Sequence, residues 1–213
     1  MEHLYEQPNS INDEHNAQAK YKFRHLLNAI LPRFIAAEYD RTDFRLVCDD
    51  FRYGNMIVNN PTDLKIVAVL DWEWTYAAPY QLFVSPPRWL LIQKPIEWDE
   101  PFGSQFQRYQ ACLDLFLKEL EHVENENATR QQEKRLSTLM RRSLSDGKFW
   151  FHELMYDCFT PADNPAFKAI CNIHPEIMQS LPSEDSELKD FVNAKMTQLA
   201  AYTLEWKAME ASE

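Results

Sequence analysis

LVCDDFRYGNMIVNNPTDLKIVAVLDWEW, residues Leu46 to Trp74, decides how the rest of the chain is read. It opens as an acidic loop, enters a short apolar strand, turns, returns along a second apolar strand and leaves on an aspartate. Met56-Ile57-Val58 and Ile66 to Leu70 have the composition of strands, and Asn59-Asn60-Pro61-Thr62-Asp63 between them holds residues that favour a turn. Antiparallel pairing puts Asn55, just before the first strand, and Asp71, just after the second, at one open end of a hairpin. Asp50, in the lead-in loop, reaches that end too.

A carboxamide beside a carboxylate makes a hard-oxygen pair suited to Mg²⁺. A second carboxylate next to them can accept a proton from an attacking hydroxyl. Kinase-type phosphoryl transfer uses this layout, one Asp orienting the nucleophile while an Asn and a later Asp hold the metal. The plainer alternative makes Asp49, Asp50 and Asn55 solvated turn residues and Asp71 a strand-end cap, because Asp and Asn are common in loops.

The segment CDDFRYGNMIV…KIVAVLDWEWTYAAP resembles the catalytic core of the aminoglycoside phosphotransferase and choline kinase-like superfamily, where an H-G-D-x-x-x-x-N segment precedes an apolar strand ending in I-D-W-E. Within it, the chain is most similar to a group of fungal phosphotransferase-like proteins with a C-D-D segment followed by S-P-P-x-W-L-L. Ser85-Pro86-Pro87-Arg88-Trp89-Leu90-Leu91 stands at that place here. The resemblance implies the C-lobe of a protein kinase-like fold and an ATP- and Mg²⁺-dependent transfer of phosphate to a small hydroxylated molecule, cationic ones included. It assigns Asp50 as catalytic base and Asn55 and Asp71 as metal ligands. Asp49, Arg52 and Glu73 are further candidates, and Trp72, Trp74 and Tyr76 are candidate substrate-side aromatics. Cys48 stands where most relatives have His, which removes a brace of the loop, and Asp49 stands where they have Gly, which adds a negative charge beside the base.

The 213 residues suit one domain or one large lobe, and 45% hydrophobic with 13% aromatic residues can fill a core. A formal net charge of -11 with no basic stripe argues against nucleic acid and anionic membrane as partners and is compatible with a cationic small molecule. Cys48, Cys112, Cys158 and Cys171 are far apart and form no C-x-x-C pair, as expected of free thiols in a reducing compartment. The six histidines add no zinc-ligand spacing. With neither a signal peptide nor a membrane span in the pattern, a soluble cytoplasmic protein is expected.

The expected fold is mainly α with a small β-hairpin, an α+β domain over 13–210 after a flexible N-terminus, 1–12. Helical spacing runs from Asp13 to Ala37, with Pro32 expected to kink or divide it, and a polar connector follows over 38–43. Trp72, Trp74, Tyr76, Tyr80, Phe83 and Trp89 are expected chiefly to pack as core around the loop, although such a set can also cage a cation. Further helices are expected over Gly103–Glu124, Gln131–Asp146, from Lys148 onward, and to about Ala208 after a cap at Ser183 or Ser186. Arg135, Arg141 and Arg142 are expected on a solvated helix face and His152 as a packed residue.

A complete kinase-like enzyme also has an N-terminal β-lobe with a phosphate-covering loop and a strand lysine. Only Gly54, Gly103 and Gly147 are present, so no G-x-G-x-x-G exists, and Lys20 and Lys22 fall within a helical pattern. The resemblance therefore covers the C-lobe and no N-lobe. Three explanations follow: a fragment or truncated gene product, a lobe completed by a partner chain, or a relative that binds without transferring phosphate.

Overall fold

The computed structural model describes residues 2–40, 44–127, 135–156, 164–180 and 186–211. Their architecture is mainly helical with two small antiparallel sheets, an α+β fold. Cys158, the Ser183 cap and the start of the helix expected from Gln131 lie outside the described residues.

Helix α2, Glu14–Phe34, is the long internal rod. Asp13 caps it by accepting the Asn16 N–H at 2.7 Å. Pro32 does not divide it. The proline lies in the last turn, where its missing N–H removes one bond, and the helix ends only two residues later, at Phe34, with Ile35 as its C-cap. The segment after it is not merely a polar connector, since Ala37–Asp40 forms a short helix, α3, and Tyr39 is buried.

The buried stripe of α2, Phe23, Leu26, Leu27, Ile30 and Phe34, meets the buried faces of α4 (Ser104–Glu126), α6 (Lys148–Tyr156) and α7 (Pro165–Ile173) in the main core. Trp150 is wholly buried there, edge-on to Trp98. α5, Leu136–Asp146, turns sharply into α6 at Gly147, whose φ of 87° is left-handed. A Cβ there would also crowd His174, so glycine is required on both counts.

A second, smaller core joins the two ends of the chain. α1, Glu2–Glu6, carries Leu4, which packs with Ile11 and Tyr21 against Leu188, Phe191 and Val192 of α8, Ser186–Glu210. The first twelve residues thus include an anchored helix, in place of the expected flexible segment, because two apolar side chains at Leu4 and Ile11 find a groove. Lys195, 1% exposed, fixes the same segment by donating to the Gln7 carbonyl at 2.6 Å. The far half of α8 stands clear of the core, with Leu204, Trp206 and Met209 exposed.

The hairpin forms as expected: β2, Met56–Val58, pairs antiparallel with β3, Ile66–Val69. Its turn is held by Asn60, whose Oδ1 accepts the Thr62 and Asp63 N–H groups at 3.0 and 2.8 Å, and by Asn59, which accepts the Lys65 N–H at 3.0 Å. A second sheet was not legible in the sequence. β1, Phe44–Cys48, pairs antiparallel with β4, Thr75–Pro79, from Phe44 opposite Pro79 to Cys48 opposite Thr75. The entry and exit of the Leu46 to Trp74 stretch are thereby clamped together beneath the loop. Proline at the outer end of β4 is tolerated because it closes an edge strand.

Candidate functional site

The β2–β3 register sets Met56 against Val69, and the Leu70 N–H donates to the Asn55 carbonyl at 2.8 Å. The ladder is extended by that rung, so Asp71 follows directly beside Asn55. Asn55 is only 8% exposed, and its amide NH₂ donates to the Asp50 carbonyl at 2.8 Å, with the Asp50 carboxylate 3.5 Å away. An amide whose NH₂ is spent on the loop keeps its carbonyl oxygen on the opposite edge. Asn55 and Asp71 therefore flank one end of the hairpin, with Asp50 bonded to Asn55 there.

Asp71 has φ 62°, a left-handed backbone uncommon outside glycine. Aspartate tolerates it better than most residues, and such conformations cluster at functional sites. Its side chain is exposed, whereas Asp50 is half-buried. Arg52 reaches the Asp50 carboxylate at 3.3 Å, but the pair is open to water and holds weakly. Glu73 is exposed beyond Asp71.

Asp49 turns away from this end. Its carboxylate accepts the Tyr156 hydroxyl at 2.7 Å and a hydrogen bond from Tyr76, and its N–H continues the β1–β4 ladder to the Trp74 carbonyl at 3.3 Å. Burial first, and the Asp49 charge and hydrogen bond after it, raise both tyrosines above their ordinary values. Both hydroxyls thus remain protonated donors at neutral pH. Behind Tyr156, the Arg88 guanidinium lies over the ring at 3.9 Å and pairs with Glu153 at 3.2 and 3.4 Å. Glu153 is 2% exposed, so this ion pair sits at the edge of the main core. The extra charge of Asp49 is in this way a tether from the loop to α6.

The sequence carries a faint signal for the Arg88–Glu153 pair behind the tether, though none for the tether itself. A glutamate within the apolar run Lys148 to Tyr156 needs a cation, and Arg88 of the S-P-P-R-W-L-L segment supplies it. His152 is packed as expected: its Nδ1 shares a hydrogen bond with the Ser85 hydroxyl, and burial, aided by the Lys148 charge, lowers it to about 4. Of the arginines, Arg141 pairs with Asp114 and Glu121 at 3.3 and 2.9 Å and Arg142 with Asp146 at 3.6 Å, while Arg135 donates to Asn125 at 2.6 Å. Arg141 and Arg142 lie on a solvated helix face paired with acids, as expected, whereas Arg135 is half-buried at the N-cap of α5.

The aromatic residues divide. Tyr80 is buried and Phe83 and Trp89 are half-buried, with Trp89 edge-on to Phe51, Tyr53 and Phe116. Trp72, Trp74 and Tyr76 are exposed, contrary to the core role expected of them, because the small sheets they border have no layer packed on their outer side among the described residues. Trp72 folds back to donate to the Val69 carbonyl at 3.0 Å.

Between the acidic loop and α6 opens a cleft of about 420 Å³ walled by Phe51, Trp72, Leu82, Trp89, Met140 and Tyr156. Asp49 and Phe51, the neighbours of Asp50, both line it. No family model, curated protein or solved structure matches the chain.

The donor chemistry at the hairpin end bears on a metal. Among the described residues no three His, Cys, Asp or Glu side chains gather to hold an ion. Asn55 and Asp71 together offer two hard oxygens, which fits Mg²⁺ that keeps water and phosphate oxygens in most of its octahedral shell. Two protein oxygens are too few to hold a resident structural ion.

Proposed function

We propose that this chain is the catalytic-loop lobe of a small-molecule phosphotransferase of the aminoglycoside phosphotransferase and choline kinase type, with a kinase-like C-lobe fold. The observation that carries the reading is the convergence of Asp50, Asn55 and the left-handed Asp71 at one end of the β2–β3 hairpin. In this reading Asn55 and Asp71 would hold Mg²⁺, which supplies charge neutralisation at the β- and γ-phosphates of ATP. Asp50 orients the acceptor hydroxyl and takes its proton. The acceptor oxygen forms a bond to the γ-phosphorus while the bond from that phosphorus to the β–γ bridging oxygen breaks, and ADP leaves with the electron pair. Tyr156 and Asn55 support the reading by fixing the loop on both sides of Asp50, since positioning supplies much of the rate in phosphoryl transfer.

The test is Mg·ATP-dependent phosphate transfer to a panel of alcohols, with Asp50→Asn as control. Transfer by the native chain that falls by about a hundredfold or more in the variant is expected. Equal rates in both would remove Asp50 from the role.

A second reading, a lobe that binds a partner without turnover, is favoured by one observation. Both sheets present apolar side chains to water, with Leu46 73% and Trp74 62% exposed, as a surface awaiting another layer would. In that case phosphate transfer stays at background for every alcohol.

A further inference from the structure

The cleft beside the acidic loop is suited to an acceptor of particular chemistry. Its volume falls inside the range of small-ligand pockets, roughly 300–1,000 Å³. We propose that it seats an uncharged alcohol with a flat apolar body, as the nucleophile of the transfer set out above; the proposal rests on that reading.

Charge decides the class. The described carboxylates lining the cleft are Asp49 and Glu153. Asp49 is engaged by the Tyr156 and Tyr76 hydroxyls, and Glu153 is forked onto Arg88. The tyrosine ring best placed to stack on a cation already has the Arg88 guanidinium over it at 3.9 Å. An amino sugar or quaternary amine entering here gives up its water shell, meets one carboxylate already neutralised by Arg88 and another already accepting two tyrosine hydroxyls, and is repelled by the Arg88 charge beside Tyr156, which is costly. An apolar ring instead meets Phe51, Trp72, Leu82 and Trp89 and gains burial against them. The acceptor hydroxyl then sits at the rim of the cleft formed by Asp49 and Phe51, the residues on either side of Asp50.

Saturation-transfer NMR and tryptophan fluorescence on the full chain test this, with 2-phenylethanol as the probe and choline and glucosamine as competitors. The alcohol is expected to bind and to resist displacement by either cation. Leu82→Glu, on a solvent-facing wall residue, is expected to weaken it about tenfold, as is Trp72→Ala should the first variant fold poorly. Tighter binding of choline or glucosamine, or an alcohol affinity indifferent to both substitutions, overturns the proposal. Mg·ATP titration of the same samples separates the two layers. Nucleotide binding without alcohol binding overturns the acceptor class alone, whereas alcohol binding without nucleotide binding supports the cleft and removes the phosphotransfer reading.

Discussion

Arg88 and His152 show how single residues set the stability of the wall behind the loop. Arg88→Ala strips Glu153, 2% exposed, of its guanidinium, and a buried carboxylate without its cation is expensive. A loss of about 3 kcal/mol in urea unfolding is expected, with Arg88→Lys recovering part of it. His152 gives a pH signature. Burial and Lys148 hold its folded value at about 4, below the ordinary 6.5, so the unfolded chain binds the proton more readily. Above pH 6.5 both states leave it neutral, so it neither adds to nor subtracts from stability; as pH falls from about 6.5 toward about 4 only the unfolded chain takes up the proton, and the fold loses stability on the order of 3 kcal/mol at the lower end. His152→Gln should flatten the stability profile across that window; an unchanged slope would place the acid sensitivity elsewhere.

Lys195 ties one element to another. Its ammonium donates to the Gln7 carbonyl and to Gln198 Oε1 at 2.7 Å, holding the segment that carries α1 against α8. Lys195→Ala is expected to cost about 2 kcal/mol, because hydrogen bonds from charged donors run to about 1.5–3 kcal/mol. Hydrogen exchange should speed up in residues 2–11 well before α4 or α6 is affected. At this scale the sequence was partly legible. Periodicity gave α2, α4 and α8 closely, since each carries a stripe of large apolar residues, and turn chemistry gave the β2–β3 hairpin. It missed β4, whose Thr-Tyr-Ala-Ala-Pro has no alternation and ends in proline, and it missed α1, where only Leu4 and Ile11 signal burial. Pairing of β1 with β4 is a long-range choice that local pattern does not encode. The placement of Asn55 and Asp71 at one end was legible because they flank a single hairpin, with Asp50 in the loop leading into it. The tether from Asp49 to Tyr156 was not, because it joins residues 107 positions apart.

Over the whole molecule, the helices bury their apolar faces while the two small sheets leave theirs open. Leu46 and Val67 on the strands, and Trp72 and Trp74 just after Asp71, face water. Among the described residues no element stands over the hairpin end to enclose phosphates. On the proposed reading, nucleotide held through a metal on Asn55 and Asp71, with little enclosing it, should bind weakly and in a metal-dependent way. Isothermal titration with ATP in the presence and absence of Mg²⁺, on the native chain and on Asp71→Ala, measures that directly. Binding is expected to need Mg²⁺ and to weaken at least about tenfold in the variant, whose fold is unchanged by circular dichroism. Binding of equal strength with and without Mg²⁺, or equal in the two proteins, would contradict it.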